Sequence, residues 1–309
     1  MRARCLVLLA AAISSCAPAG AERDPAPTRS SPGPELPGTT VAIASEAVIE
    51  LQMMAEVYAQ ALEAAGFVVE RRPSTPDAAL LHTGLTSGSL HVVPGHLATH
   101  LAQIGIEPSG DATDDLARLR QRLAADGLDV LRPSSAEWTT GFGMRQEDAS
   151  ARGFGAMSDL VAVAAELTWG IPPDCASLPA CGHALTESYG IALEALPTVS
   201  VTACDPATAE ALNDAAVDVA LLCTTQPEVE RFNLVILEDD RHGQPPGAIV
   251  PIVHHQLLAA AGEPLTDALE TISAEMTTAE LASLAARVTV DGEAIGDVAR
   301  SWLEDHGLV

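Results

Sequence analysis

The sequence of 309 residues contains no lysine. Its 16 basic residues are all arginines, and they are outnumbered by 42 acidic residues. A Schiff base with pyridoxal phosphate and the phosphate-binding G-K-[ST] motif both need a lysine, so enzymes of these two classes are excluded. With a net charge of -26, the chain offers little basic surface to neutralise the phosphates of a nucleic acid. We therefore expect no nucleic-acid partner.

Aromatic residues are also scarce, at 3% of the chain, whereas apolar residues make up 48%. That apolar share is sufficient for a globular core. Neither the G-x-S-x-G motif of serine hydrolases nor the H-E-x-x-H motif of zinc proteases occurs in the sequence. We therefore predict that the protein is not an enzyme and needs no cofactor.

The N-terminus has the pattern of an export signal. Arg2 and Arg4 precede an apolar stretch from Leu6 to Ile13, which is too short to span a membrane permanently. The following Ile13-Ser14-Ser15-Cys16 resembles the bacterial lipobox, in which the cysteine becomes lipidated. We predict a signal peptide over residues 1–15 and lipidation of Cys16.

Residues 16–39 are rich in Pro, Ala, Ser and Gly and show no apolar periodicity. Such a segment cannot pack into a core and is typical of a flexible linker. The expected location is therefore extracytoplasmic, with the folded body anchored to the outer face of the cell membrane through Cys16.

Four cysteines remain in the body of the chain: Cys175, Cys181, Cys204 and Cys223. Export to an oxidising compartment permits disulfides, and four cysteines allow three pairings. We favour Cys175 with Cys181, which enclose a short loop, and Cys204 with Cys223, which each end a predicted strand. Free buried thiols are the alternative.

From residue 41 onward, strand and helix patterns alternate, which predicts an α/β fold with mostly parallel sheets. Breaks rich in turn-forming residues occur at residues 133–135 and 243–247. If the chain crosses between two lobes at both breaks, residues 40–135 and 243–309 form one lobe and residues 136–242 form the other. Two such lobes place a ligand cleft between them.

Several motifs of the body, in their order and spacing, resemble the glycine betaine, carnitine and choline-binding proteins of osmoprotectant ABC importers. This family has the type II periplasmic-binding fold, and the similarity covers residues 40 to 309. The motifs are Ile43-Ala44-Ser45-Glu46, Leu85-Thr86-Ser87-Gly88-Ser89-Leu90-His91-Val92, Gly170-Ile171-Pro172-Pro173-Asp174, Leu237-Glu238-Asp239-Asp240 and Val290-Asp291-Gly292-Glu293. The resemblance implies capture of a small solute by hinge closure, delivery to an ABC permease, and a monomeric protein.

The resemblance also assigns candidate ligand-binding positions. Members that bind quaternary ammonium hold the cation in a cage of tyrosine rings. The corresponding positions here carry other residues, so the resemblance implies a betaine-like or choline-like default, with a different or larger polar solute as the alternative. The candidate ligand-binding residues are Ser45, Glu46, His96, Thr99, Trp138, Thr140, Cys223, Thr224 and Gly247, and Phe142 is a further possible ring.

Other ligands and roles stay open at this point. His82, His91, His96 and His100 lie close in sequence, which would suit a zinc-binding receptor, but no cysteine or carboxylate converges on them and we predict no metal site. An amino-acid-like solute is another alternative. A receptor domain that senses a solute without feeding a transporter would have the same sequence features.

Overall fold

The computed structural model describes residues 39–309 of the chain. The predicted signal peptide, Cys16 and the linker up to residue 38 lie outside these residues. Across the described range, every helix is too short or too polar to cross a membrane.

The described residues form ten strands and eleven α-helices. The strands are β1 (Thr40–Ile43), β2 (Val68–Arg71), β3 (Val92–His96), β4 (Leu128–Val130), β5 (Thr140–Arg145), β6 (Trp169–Ile171), β7 (Thr198–Ser200), β8 (Val219–Cys223), β9 (Leu234–Ile236) and β10 (Ile249–His254). The helices are α1 (Ile49–Ala64), α2 (Ala78–Ser87), α3 (Leu97–Gln103), α4 (Ala112–Ala124), α5 (Gln146–Arg152), α6 (Pro206–Asn213), α7 (Pro227–Arg231), α8 (His255–Ala261), α9 (Glu263–Glu275), α10 (Thr278–Thr289) and α11 (Ile295–Asp305).

The first sheet has the strand order β2-β1-β3-β10-β4. Strand β1 is parallel to β2 and β3, whereas β10 is antiparallel to both β3 and β4. Four strands therefore share one direction. Alternate side chains of these apolar strands point to opposite faces, so each face can bury its own helices. One face packs against α1 and α9–α11, and the other packs against α2–α4. This three-layer unit is called the first lobe.

The second sheet has the order β7-β6-β8-β5-β9, and it repeats the same arrangement. Strand β5 is antiparallel to its neighbours β8 and β9, and the other four strands share one direction. Apolar clusters cover both of its faces. This unit is called the second lobe. The expectation of mostly parallel sheets is confirmed, with one reversed strand in each.

In each sheet, the reversed strand is the first one that the chain forms after it crosses from the other lobe. The first crossing, residues 131–139, leads into β5, and the second crossing, residues 237–248, leads into β10. The two crossings run side by side, since Glu137 and Ala248 form an antiparallel bridge and the Trp138 N–H donates to the Gly247 carbonyl at 2.8 Å. A Cβ on Gly247 would lie 2.7 Å from the Thr139 Cβ, so glycine is required there.

Cys175 is joined to Cys181, and Cys204 is joined to Cys223. This is the pairing favoured from the sequence, but the reason given for the second bridge was wrong. Cys204 does not end a strand as expected, because β7 ends at Ser200, and β6 lies between β7 and β8. The bridge therefore joins the end of β8 to the turn before α6, rather than the ends of two strands.

A further contact joins the two lobes away from the crossings. The Thr225 hydroxyl, just after β8, donates to the Glu50 carboxylate at the start of α1 at 2.6 Å. Both side chains are buried, with exposed fractions of 1% and 7%. Beside them, helix α7 of the second lobe packs against α10 of the first. We refer to Glu50 and Thr225 as the interlobe pair.

Candidate functional site

A cavity of about 540 Å³ lies between the two lobes, beside the crossings. We call it the cleft cavity. Both sheets contribute to it through the loops that follow their strands, which is where ligands bind in open α/β sheets. Five predicted site residues line it: His96, Thr99, Trp138, Thr140 and Cys223.

His96 forms the first-lobe wall at the junction of β3 and α3. It is the N-cap residue of α3, and its Nδ1 accepts the Thr99 backbone N–H at 3.3 Å and lies 2.8 Å from the Thr99 hydroxyl. An amide nitrogen can only donate, so Nδ1 is an acceptor and the proton of the neutral ring lies on Nε2. Burial lowers the pKa of His96 to about 4, and the imidazole is therefore neutral at pH 7.

Trp138, in the first crossing, stands edge-on to this imidazole, with 5.2 Å between the ring centroids. Its indole is half-buried against the core of the first lobe and lines the cleft cavity. The His96 Nε2 is enclosed in the protein, and a hydrogen bond from the ring to the Trp138 backbone partly offsets the effect of burial on the pKa of His96. The first lobe therefore presents one indole beside the cavity.

The second-lobe wall is formed by a π-helical turn, Pro179–Ser188, and by the disulfide between Cys204 and Cys223. His183 and Glu187 of that turn line the cavity. Cys223, predicted as a ligand-binding position, thus contributes a disulfide sulfur rather than a free thiol.

The second crossing is fixed in place by Asp239. Its carboxylate accepts the backbone N–H groups of Gly243 at 2.9 Å and Gln244 at 2.7 Å, and it also accepts the Tyr189 hydroxyl. The Gln244 side chain then accepts the Thr140 hydroxyl at 2.9 Å and donates to the Ala180 carbonyl at 3.0 Å. These bonds position the cavity wall where the crossing meets β5 and the π-helical turn.

Thr224 and Gly247 line an adjoining cavity of about 830 Å³, which shares Thr140 and Gln244 with the cleft cavity. Phe142, considered from the sequence as a possible ring for the ligand, borders this adjoining cavity but not the cleft cavity. Its ring is almost fully buried and packs edge-on against Trp169. Phe142 is therefore a core residue of the second lobe.

Ser45 and Glu46 line neither of these two cavities. Ser45 is buried at the end of β1, beside a groove near Arg71 and Arg72. Glu46 forms a parallel backbone bridge with Thr75, and burial raises the pKa of its carboxyl. The two residues share the first lobe with His96, and their role in ligand binding stays a prediction.

The histidines considered for zinc are held by separate partners. The His91 Nδ1 accepts the Ala42 N–H at 2.9 Å, and the His82 Nε2 lies 3.5 Å from an Asp126 oxygen. The His100 Nδ1 lies 3.0 Å from the Gln103 amide oxygen, and its Nε2 packs against Gly95. Residues 39–309 contain no group of three or more His, Cys, Asp or Glu side chains arranged to hold a metal. The Pro94-Gly95 pair between His91 and His96 lies within β3.

Sequence analysis did not find several residues of the cleft cavity. They are Glu107, Ser109, His183, Glu187, His242 and Gln244. All lie in loops or irregular turns, for which no periodicity gives a signal. Gln244 lies within the break at residues 243–247 that marked the second crossing, so it could have been proposed from its position alone.

Residues 39–305 match the family described as the substrate-binding domain of the ABC-type glycine betaine transport system. Among curated proteins, the chain is similar to a glycine-betaine-binding protein of Pseudomonas aeruginosa. The two are 25% identical over 280 residues, which cover 87% of this chain and 89% of the relative.

Solved structures of the same fold include one titled glycine betaine/carnitine/choline ABC transporter, with a TM-score of 0.77 and 18% identity, covering 87% of this chain and 99% of the other. Apo YehZ from Escherichia coli gives a TM-score of 0.76 at 20% identity with the same coverage. Lactococcal OpuAC, closed with glycine betaine, gives 0.55 at 19% identity and covers 87% of this chain and 96% of its own. These similarities identify the two-lobed architecture as the type II periplasmic-binding fold.

Proposed function

Because the chain belongs to the family of substrate-binding domains of ABC-type glycine betaine transport systems, a non-enzymatic class, we propose that it captures a small polar solute by closing its two lobes and delivers it to an ABC permease. The observation that carries this proposal is the cleft cavity, whose walls come from both lobes and both crossings. A solute that contacts both walls stabilises the closed form, since only that form makes all the contacts.

The hinge of this motion lies in the two crossings, residues 131–139 and 237–248. The two bodies that move are residues 40–135 with 243–309 and residues 136–242, apart from the parts of each that belong to the crossings. Ligand contacts come from His96 and Thr99 on the first lobe and from Trp138, Thr140 and the Cys223 sulfur on the crossings and second lobe. Thr224 and Gly247 line the adjoining cavity, which also borders the two crossings.

The betaine specificity of the relatives is not carried over to this chain. The curated relative is named a glycine-betaine-binding protein, and one related solved structure is named a glycine betaine/carnitine/choline ABC transporter. Here Trp138 supplies the indole of the cleft cavity and no tyrosine lines it. The proposed ligand is therefore a small polar solute whose recognition depends on fewer ring contacts.

A thermal-shift screen tests the binding function. Glycine betaine, choline, carnitine, ectoine, amino acids and Zn²⁺ are added separately to the purified protein. A solute present at a hundred times its Kd adds about 2.7 kcal/mol to the free energy of unfolding. We expect an organic solute to raise the melting temperature; stabilisation by Zn²⁺ alone would contradict the proposal.

We also propose that the protein is a monomeric lipoprotein, anchored outside the cell membrane by Cys16. The support is the lipobox-like motif and the membrane-facing role of the family. The Cys16→Ser variant should lose the lipid and leave the membrane fraction, as followed by fractionation and immunoblotting. An unchanged membrane fraction in that variant would contradict the anchor, with Cys5→Ser, in the predicted signal peptide, as a matched cysteine control.

A further inference from the structure

The charged side chains at the cleft cavity are all acidic. Glu107 of the first lobe and Glu187 of the second lobe line it, and no arginine does. The chain contains no lysine at all. His183 and His242 also line the cavity. A ligand cation would find a carboxylate on each lobe, whereas a ligand carboxylate would find no permanently charged arginine or lysine.

The aromatic residues of the chain cannot supply a ring cage. Both tyrosines are buried in the lobes and already bonded: the Tyr58 hydroxyl lies 2.8 Å from the Ser273 hydroxyl, and the Tyr189 hydroxyl donates to Asp239. A quaternary ammonium has no N–H and depends on several ring faces. Trp138 provides one indole, so such a cation would be poorly held.

The buried imidazole of His96 does not extend this set of ligand contacts. Its Nδ1 accepts the Thr99 N–H, so the ring proton lies on Nε2. That Nε2 is enclosed in the protein, and a hydrogen bond from the ring to the Trp138 backbone partly offsets the fall in the pKa of His96. A ligand can therefore reach the exposed Glu107 and Glu187 but not this nitrogen.

We infer that the cleft cavity selects a small organic cation that carries N–H donors and no carboxylate, with the N–H groups on Glu107 and Glu187. This inference rests on the proposed solute-binding function. It also explains why closure would depend on ligand. Two carboxylates on opposite lobes repel as the cleft narrows, and a cation between them removes that repulsion.

The test compares ligands that differ in one property at a time, by isothermal titration calorimetry at low salt. Ethanolamine and choline have the same charge, but only ethanolamine has N–H donors. Putrescine and its fully methylated bis-quaternary analogue form a second such pair. Glycine betaine adds a carboxylate to the quaternary group. We expect at least one primary amine to bind about tenfold more tightly than its methylated partner, and betaine to bind most weakly.

Two variants locate the cation. Glu107→Gln and Glu187→Gln should each weaken binding of the primary amine about two- to fivefold, the range for exposed ion pairs, and the effect should shrink at high salt. Glu275→Gln, an exposed glutamate of α9 outside the cavity, is the matched control and should leave the affinity unchanged.

The outcomes separate this inference from the proposed function. Tighter binding of choline, the bis-quaternary analogue or glycine betaine would overturn the inference and leave solute capture standing. Unchanged amine affinity in both cavity variants would also overturn it. If none of the five compounds bound, the inference would fail, and the broader thermal-shift screen would then decide the fate of the proposed function.

Discussion

The two lobes meet in two regions of opposite character. At the cleft cavity, acidic side chains, an indole and a buried imidazole border an open space of about 540 Å³. At the crossings and the interlobe pair, the lobes are in close contact, with a glycine packed against Thr139 and a buried hydrogen bond of 2.6 Å. One region is built to receive a ligand and the other to hold the lobes in register.

This difference assigns separate roles to the residues that the lobes share. Changes at Glu107 and Glu187 in the cleft cavity should alter affinity with little effect on folding, because these two side chains are exposed to solvent. Changes at the crossings or the interlobe pair should alter stability and closure together, because buried groups there have no alternative partner. Three predictions test this division.

The largest expected effect comes from the crossings. In Gly247→Ala, the new Cβ would lie 2.7 Å from the Thr139 Cβ and 2.9 Å from the Trp138 carbonyl oxygen. Because the two crossings must shift to remove that overlap, the free energy of unfolding should fall by about 1–3 kcal/mol. Urea denaturation followed by circular dichroism measures this change.

The matched control for that variant is Gly155→Ala. A Cβ on Gly155 meets no atom within 4 Å, and its backbone is outside the left-handed region. It should therefore change the stability by much less than Gly247→Ala. Equal stability of the two variants would show that the close approach of the crossings is not needed.

An intermediate effect, on pH dependence, comes from His96. Its pKa is about 4 in the folded protein, against an ordinary value of about 6.5. Between these two pH values, the imidazole is protonated in the unfolded chain but neutral in the folded protein. Stability is unaffected above pH 6.5 and falls as the pH drops towards 4, by about 2 kcal/mol at pH 5. His96→Asn keeps an acceptor at the helix cap and should remove this loss.

Urea titrations at pH 7 and pH 5 measure the difference for the parent protein and for His96→Asn. The matched control is His255→Asn, because His255 is an exposed histidine on α8. We expect the parent and the control to lose more stability on acidification than His96→Asn does. A loss of the same size in all three proteins would refute the buried neutral imidazole.

A smaller effect is expected at the interlobe pair. Thr225→Val keeps the shape of the side chain and removes the donor, which leaves the buried Glu50 carboxylate without that hydrogen bond. The loss should be about 1–2 kcal/mol of unfolding free energy. Glu50→Gln combined with Thr225→Val should lose less than the sum of the two single changes, because the two residues are coupled.

Thr271→Val, at an exposed position of α9, is the control for the interlobe pair and should be nearly neutral. Strict additivity of the Glu50 and Thr225 changes would mean that the hydrogen bond contributes nothing. Both single variants should also shift the ligand-free protein towards a different lobe separation, which small-angle scattering detects.

The fold could be predicted from the sequence largely because its strands are short apolar runs separated by amphipathic helices. The breaks at residues 133–135 and 243–247 lie within the two crossings, since turn-forming residues mark the places where regular structure stops. The reversal of β5 and β10 could not be read from these runs. Strand direction follows from how a crossing enters a sheet, and an apolar strand buried on both faces looks the same in either direction.

The candidate site was predicted less completely. His96 and Thr99 line the cleft cavity because they lie at the end of β3, and Trp138 lines it from the crossing that leads into β5. Ser45 and Glu46 follow a strand too, yet the chain turns there to pair with Thr75. Glu107 and Glu187 come from irregular segments whose positions depend on tertiary packing, so no local pattern could reveal them.

Small-angle X-ray scattering of the purified protein, with and without ethanolamine, putrescine, choline and glycine betaine, tests closure over a solute most directly. The account predicts that a compound that binds by calorimetry also reduces the radius of gyration, and that a non-binding compound leaves the profile unchanged. A bound compound with an unchanged profile would contradict a cleft that closes around its ligand.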